Sequence, residues 1–154
     1  MLSEIWCYNL EFYFNAFTGY TFYYDMPPGV TVGGVGVYVR NLLTHRQIPE
    51  LAFTNSANIK VESLWLELII GNQQFVLAGI YRHPSCDVKS FTDELESVFE
   101  QLSTDNSIIL AGDFNIDLLK FYQTDITRYI DMFVANGFKP LVLLPTRVTP
   151  SSSS

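Results

Sequence analysis

The stretch SIILAGDFNID, residues Ser107 to Asp117, is the part of the sequence that best indicates the fold. Its apolar start predicts a buried strand from Ser107 to Ala111. Beyond Gly112 the chain presents Asp113, Phe114, Asn115, Ile116 and Asp117. This polar end has two interpretations, because Asp and Asn favour turns but also line ligand sites where the strands of α/β sheets end.

The segment from Val61 to Arg82 predicts the clearest supersecondary unit. Two apolar strands flank Gly71-Asn72, a pair suited to a two-residue hairpin turn. Both strands are apolar on both faces over much of their length, which indicates a central position between two layers.

The remaining pattern predicts more strands early in the chain and two helices late. The first helix carries an apolar stripe from Phe91 to Leu102 and is expected to be capped by Ser90 or Thr92, with acids early in it. The other expected strands are Gly19–Tyr24, Gly33–Arg40 and Phe138–Leu144. A second helix is expected from about Thr124 to Asn136 and should end at Gly137. Its inward-facing residues would be Ile126, Ile130, Phe133 and Val134. This order favours an α/β sandwich of two mixed sheets with helices outside.

Composition limits the function classes. The 154 residues fit one domain, here 1–150, followed by a serine tail at 151–154, and 48% of them are hydrophobic. The net charge of −7 counts against tight nonspecific binding of nucleic acid, but it allows an enzyme whose acids hold a cation. No apolar run reaches the roughly 18 residues of a membrane span, and no charged and then apolar leader is seen, so we expect neither a membrane span nor a signal peptide. Two cysteines without zinc spacing fit reduced thiols in a cytoplasmic or nuclear protein.

Three polar residues invite a chemical interpretation. Asp113 could order or deprotonate a water molecule, and the amide of Asn115 could donate to a phosphate oxygen. Glu4 lies among residues that would otherwise pack, and Mg²⁺ takes one or two carboxylates plus waters and phosphate oxygens. The alternatives are a polar turn for the first two and a solvent-facing edge acid for Glu4.

Further candidates follow two strands. Tyr81 and Arg82 end the second hairpin strand and could both contact a phosphate, and Thr146 could do the same after the last strand. Each could equally be an ordinary strand exit. His83 precedes a proline and His45 has no partner signature, so neither is expected to be a catalyst.

The order of these signals is more specific than any one of them. Together they resemble the endonuclease/exonuclease/phosphatase superfamily, and within it most closely the endonuclease domain of non-LTR retrotransposons of the jockey or CR1 type. The resemblance covers nearly the whole chain and rests on LSEIW, GGVGVYVR, ESLWLELII, VLAGIYRHP, the amphipathic helix, IILAGDFNID and PTR, in that order.

The resemblance implies a four-layered α/β sandwich that hydrolyses phosphodiesters with Mg²⁺ or Mn²⁺. Glu4 would bind the metal, Tyr81 would contact the scissile phosphate and Asp113 would activate the water. Asn115 would hold the phosphate or the water, and Thr146 matches a threonine near the DNA. The expected partner is DNA, nicked to prime reverse transcription, and the protein is expected to be a monomer that does not bind membranes.

The sequence also departs from the family pattern. The family has a strand with a metal-site Asn before the strand that carries the Glu, and a Ser-Asp-His stretch near its end, and neither is present here. We therefore expect an incomplete sandwich, truncated at both ends, whose activity is weak or lost. Two alternatives stay open: another phosphoesterase of the superfamily, acting on abasic DNA, lipid or inositol phosphates, and a non-enzymatic remnant.

Overall fold

The computed structural model describes residues 1–5, 9–27, 33–54, 56, 59–102 and 107–142. Two sheets lie face to face, and helices cover the outer face of each, which confirms the α/β sandwich and gives it four layers. The expected Thr146 and the end of the last predicted strand lie outside the described residues. No helix in the described part is long and apolar enough to cross a membrane.

The first sheet has three strands in the order β1-β3-β2. Its strands are β1 (Leu2–Ser3), β2 (Tyr20–Asp25) and β3 (Val35–Arg40), and both of their pairings are antiparallel. Its outer face is covered by α1 (Glu11–Phe14), a short helix that the sequence pattern did not reveal. The Tyr13 ring of α1 stacks on Phe22 at 5.4 Å between centroids.

The second sheet has four strands in the order β4-β5-β6-β7 and is mixed. It consists of β4 (Thr44–Gln47), β5 (Val61–Ile70), β6 (Gln73–Arg82) and β7 (Ser107–Asp113), and a 3₁₀ turn at Pro49–Leu51 lies between β4 and β5. The hairpin of β5 and β6 turns at Gly71 and Asn72, as predicted. β7 pairs with β6 in parallel, and the connection between them contains a helix.

That helix is α2 (Val88–Gln101), and its buried stripe includes Phe91, Leu95 and Val98 as expected. Its N-cap is Asp87, whose carboxylate accepts from the amide of Ser90 at 2.7 Å, so the expected Ser90 or Thr92 cap is wrong. Its first turn contains no acid, contrary to expectation.

After a 3₁₀ turn at Leu118–Lys120, α3 (Thr124–Ala135) packs beside α2. Gly137 takes φ +74° after its end, and Phe138 donates to the carbonyl of Phe133, the Schellman arrangement that stops a helix. Val134 is 66% exposed, so the expectation that it faces inward is wrong. Residues 138–142 form no strand, so the described part of the expected Phe138–Leu144 strand is absent.

Alternation along β5 and β6 separates two cores. Leu64 and Leu66 pack between the sheets, together with Val35 and Val37 of β3. Trp65 faces the opposite way, towards α2 and α3. Successive residues of a strand point to opposite faces. Tyr81 and Arg82, the last two residues of β6, therefore point to opposite sides of the sheet.

Candidate active site

The candidate site lies where β6 and β7 end. Tyr81 and Asp113, the paired residues of this parallel pair, lie side by side at the carboxyl ends of both strands. In α/β sheets this edge is where ligands bind. Tyr81 belongs to the core between the two sheets, so the site opens at the rim of that core.

Glu4 reaches the same place from the other sheet. The Tyr81 hydroxyl donates to Oε1 of Glu4 at 2.9 Å, although the two residues are 77 positions apart. The ring of Tyr81 is buried, whereas Glu4 is exposed. Burial, followed by the hydrogen bond and the charge of Glu4, raises the pKa of Tyr81 to about 12, so the phenol keeps its proton at neutral pH.

The polar end of β7 is a tight turn. Gly112 takes φ +151°, and a Cβ at this position would lie 1.7 Å from the carbonyl oxygen of Ile80. Asp113 Oδ1 then accepts from the amide of Asn115 at 3.1 Å, and Asn115 takes φ +49°. The only other described non-glycine residue with positive φ is Glu4, at +55°. Such strained backbone clusters at functional sites, which favours the active-site interpretation over a plain polar turn.

Arg82 occupies a different place from the one expected. It is only 2% exposed, and its guanidinium donates to the carbonyls of Phe114 and Asn115, each at 2.6 Å, and to that of Cys86. In return, the Asn115 side-chain amide donates to the Arg82 carbonyl at 2.8 Å. These contacts do not fit the expected pairing of Arg82 with a substrate phosphate, because its hydrogen-bonding groups face main-chain carbonyls in the interior.

Two acids were missed in the sequence, Glu62 beside Tyr81 and Asp25 near Glu62. Glu62 is paired with Tyr81 across β5 and β6, is 7% exposed, and its Oε2 has no hydrogen-bond partner among the described residues. Burial, then the charge of Asp25, raises the pKa of Glu62, although the amide of Gly34 opposes the shift. Burial likewise raises the pKa of Asp25, which accepts from the amide of Ser63 at 2.8 Å. An acid inside the apolar run VESLWLEL was the signal that could have identified Glu62.

A resident metal has limited protein ligands here. In the described residues, no group of three or more His, Cys, Asp or Glu side chains could hold a metal ion. One oxygen of Glu4 accepts from Tyr81, and the residue as a whole is exposed. Mg²⁺ often binds through one or two carboxylates, keeping waters and phosphate oxygens as its other ligands. The residues therefore fit an Mg²⁺ ion held mostly by substrate and water, for which Glu4 would be the protein ligand.

The two histidines lie apart from these groups. His45, on β4, shares a hydrogen bond of 2.9 Å with the hydroxyl of Tyr23. His83 follows β6, and its Nδ1 lies 2.8 Å from the hydroxyl of Ser85. Their partners are those of ordinary structural side chains.

The sequence matches no protein-family model and no curated protein, but the fold matches solved structures. The endonuclease domain of TRAS1, a telomere-specific non-LTR retrotransposon, superposes with a TM-score of 0.60 at 14% identity over 80% of this chain and 55% of that chain. TDP2 of D. rerio, solved with a single-stranded DNA product, gives 0.56 at 18% identity over 83% of this chain and 50% of that chain. Truncated TDP2 of Caenorhabditis elegans gives 0.52 at 19% identity over 75% and 48%.

These likenesses extend over about four fifths of the chain in the first two cases. The chain spans about half the length of the solved proteins it resembles. At these identities the likeness establishes the architecture and leaves the chemistry to the residues. The chain therefore has the sandwich fold of these solved structures, as its sequence resemblance led us to expect.

Proposed function

We propose that this chain carries part of the active site of a divalent-metal-dependent phosphodiesterase that nicks DNA. The observation that carries the proposal is the meeting of Glu4, Tyr81, Asp113 and Asn115 at one sheet edge, although they come from three separate parts of the sequence. The likeness to a retrotransposon endonuclease and to TDP2 supports phosphodiester hydrolysis as the reaction class. Priming of reverse transcription by the nick is the biological role that we propose with it.

The residues divide the work according to their chemistry. The Asp113 carboxylate accepts the proton of the attacking water, and the protonated Tyr81 phenol donates to a phosphate oxygen. Asn115 keeps one amide N–H for the Arg82 carbonyl and has a second for the phosphate or the water. Mg²⁺ bound at Glu4 would neutralise charge on the phosphate.

We further propose that this chain alone nicks DNA slowly or not at all. A single carboxylate, that of Glu4, would hold the cation, and the described residues offer no three-ligand centre to strengthen its binding. The net charge of −7 also repels the DNA backbone, so substrate affinity from this chain is low.

Supercoiled plasmid and Mg²⁺ test both parts with the purified chain. We expect slow nicking that requires Mg²⁺, disappears in Asp113→Ala and persists in Asp117→Ala. Asp117 is the matched control, because it is an exposed acid of the same segment that caps a 3₁₀ turn. Nicking that survives Asp113→Ala would overturn the site assignment, and a rate close to that of the TRAS1 endonuclease domain would overturn the proposed weakness.

Cation binding gives an answer when nicking is too slow to detect. Calorimetric titration with Mg²⁺ should show weak binding that Glu4→Gln removes and Glu11→Gln leaves intact. If no cation binds and Glu4→Gln changes nothing, the non-enzymatic remnant becomes the better description.

A second candidate is a phosphoesterase with a different substrate, which the likeness to TDP2 with its single-stranded DNA product favours. The substrate would then be abasic DNA, a single-stranded end, or a lipid or inositol phosphate instead of duplex DNA. Hydrolysis of one of these, without plasmid nicking and with loss in Asp113→Ala, distinguishes it from the first.

A further inference from the structure

We propose that Arg82 is a positioning residue, which holds the turn from Asp113 to Asn115 in place from the side opposite to the substrate. That Arg82 holds the turn is argued from its own contacts. That this speeds catalysis also depends on the proposed function, so the two parts are tested separately.

The guanidinium forms a three-pronged clamp. Its Nε donates to the Phe114 carbonyl and its Nη2 to the Asn115 carbonyl, each at 2.6 Å, and its Nη1 donates to the Cys86 carbonyl. Two of these carbonyls belong to consecutive residues of the turn, and the third lies at the start of the segment that leads into α2. One side chain therefore ties the turn to the residues just before the helix.

The contact is reciprocal. Asn115 donates from its side-chain amide to the carbonyl of Arg82 at 2.8 Å, while its own carbonyl accepts from Arg82. The two residues are thus joined at both ends, and rotation of the Asn115 amide is restricted. Since Asn115 takes φ +49°, the turn needs such support to keep its strained backbone.

The charge of Arg82 is balanced by carbonyl dipoles. Within the described part of the chain, the ion pairs involve other cations, Arg46, Lys89, Lys120 and Arg128, and no carboxylate lies within ion-pair distance of Arg82, although its charge helps to lower the pKa of Asp87. A buried guanidinium can be stabilised this way because its planar fork directs several N–H groups at once. A lysine ammonium is a point charge and cannot reach three carbonyls in this arrangement.

Strand alternation places Arg82 and Tyr81 on opposite faces of the second sheet. Tyr81 packs in the core between the sheets, whereas Phe114, whose carbonyl Arg82 contacts, packs against the core under α2 and α3. The charge of Arg82 also acts on the helix side, where it opposes the rise in the pKa of Tyr129 that burial causes. A phosphate on the Tyr81 side is therefore separated from Arg82 by the sheet itself.

Nuclear magnetic resonance of the ¹⁵N-labelled chain tests the clamp without requiring activity. In the unmodified chain, the Arg82 Nε–H signal should exchange slowly with solvent and should not move when inorganic phosphate or a short DNA duplex is added. Rapid exchange, or a shift upon addition of either probe, would overturn the proposal in favour of phosphate binding. This arm needs no variant, so it stands even if substitutions at Arg82 prevent folding.

Arg82→Lys tests the positioning itself. The side-chain amide signals of Asn115 should move towards those of a freely rotating amide, whereas Val98→Ala should lower thermal stability without moving them. Val98 is a suitable control because it is buried in α2 and is not among the contacts of the turn. Unchanged Asn115 signals in a folded Arg82→Lys variant would contradict the clamp.

Plasmid nicking separates this inference from the proposed function. Misplaced catalytic groups cost on the order of 10²-fold in rate, and Arg82→Lys should lose about that much in kcat with KM unchanged. Loss through KM would point to substrate contact and overturn the positioning role. If the Asn115 amide signals move in Arg82→Lys but the nicking rate is unchanged, the clamp is confirmed and its proposed benefit to catalysis is wrong. If the unmodified chain does not nick, which the proposed weakness of this chain allows, the Mg²⁺ titration tests the proposed function and the resonance experiments alone decide the clamp.

Discussion

Tyr81 and Glu4 join the two sheets at the candidate site through one hydrogen bond of 2.9 Å. Removing the hydroxyl in Tyr81→Phe should lower the free energy of unfolding by about 1 kcal/mol, since a hydrogen bond contributes roughly this much net of solvation. Urea unfolding measures it. Glu4 is exposed, so water can solvate its carboxylate once the phenol is gone.

A double-mutant cycle with Glu4→Gln isolates the pair. We expect a coupling free energy of at least about 0.5 kcal/mol between the two substitutions, the lower range for residues in contact. The cycle Tyr81→Phe with Glu11→Gln is the control, because Glu11 lies on α1. Strict additivity in the first cycle would contradict the contact.

Gly112 should tolerate no side chain. Gly112→Ala places a Cβ 1.7 Å from the Ile80 carbonyl oxygen, which forces β7 away from β6. We expect loss of cooperative thermal unfolding or a fall in stability of several kcal/mol, beyond the range of most single substitutions. Gly137→Ala is the control, since it also has positive φ, at +74°, but nothing lies within 4 Å of its added Cβ. Its cost should be only about 1 kcal/mol, and equal losses for both variants would refute the close-approach argument.

Glu62 should make stability decrease as the pH rises. Because burial raises its pKa in the folded protein above 4.5, the folded state holds this proton more tightly than the unfolded chain does. The stabilisation that this proton gives the folded state is fully present below pH 4.5 and is lost as the pH rises through the raised pKa of Glu62. Glu62→Gln should therefore raise the free energy of unfolding at pH 7.5 and change it little at pH 4, measured in urea.

Glu67, on the same strand, provides the opposite control. Its hydrogen bond with Arg46 lowers its pKa below 4.5, so its contribution exists above 4.5 and is lost as the pH falls through the lowered value. Glu67→Gln should reduce stability at pH 7.5. If both substitutions shift the pH dependence in the same direction, the burial argument for Glu62 is wrong.

Asp87 should anchor the start of α2. Asp87→Ala removes the acceptor of the Ser90 amide and should cost about 1 kcal/mol, which lowers Tm by roughly 2–4 °C for a protein of this size. Calorimetry measures the shift, and Asp87→Asn should retain most of the stability because Asn is also a good cap. An unchanged Tm in Asp87→Ala would show that Asp87 does not stabilise the start of α2.

The sequence predicted best where local rules dominate. Gly71 and Asn72 form the hairpin turn because few residue pairs suit it, and Gly137 ends α3 because a left-handed residue is needed there. The apolar stripe of α2 was equally clear. These features depend on a few neighbouring residues, so one sequence contains the whole signal.

The errors arose where three-dimensional neighbours decide. Ser90 and Thr92 are good caps by type, but the helix starts at Val88 and gives that role to Asp87. Val134 fits the apolar stripe of α3, yet its position on the helix surface leaves it exposed. Residues 138–142 are apolar enough for a strand but have no strand pairing in the structure.

The candidate site was half predictable. Asp113, Asn115, Tyr81 and Glu4 were singled out by residue type, order and family resemblance, and the structure brings them together. Period-two alternation in β6 already implied that Arg82 could not share the face of Tyr81. Glu62 could have been noticed as an acid inside an apolar run, but Gly33 and Gly34, which lie against its carboxylate, come from a distant part of the chain.

The short length of β1 divides the site into parts of unequal local stability. Asp113, Asn115 and Arg82 belong to the continuous unit of β6, α2 and β7, whereas Glu4 follows a strand of only two exposed residues. Segments with few buried contacts open with the lowest free energy, well before the whole domain unfolds. The segment that carries Glu4 is therefore the first part of the site to open in native fluctuations. A ligand bound there would stabilise the contact between the two sheets, and its release would weaken that contact again.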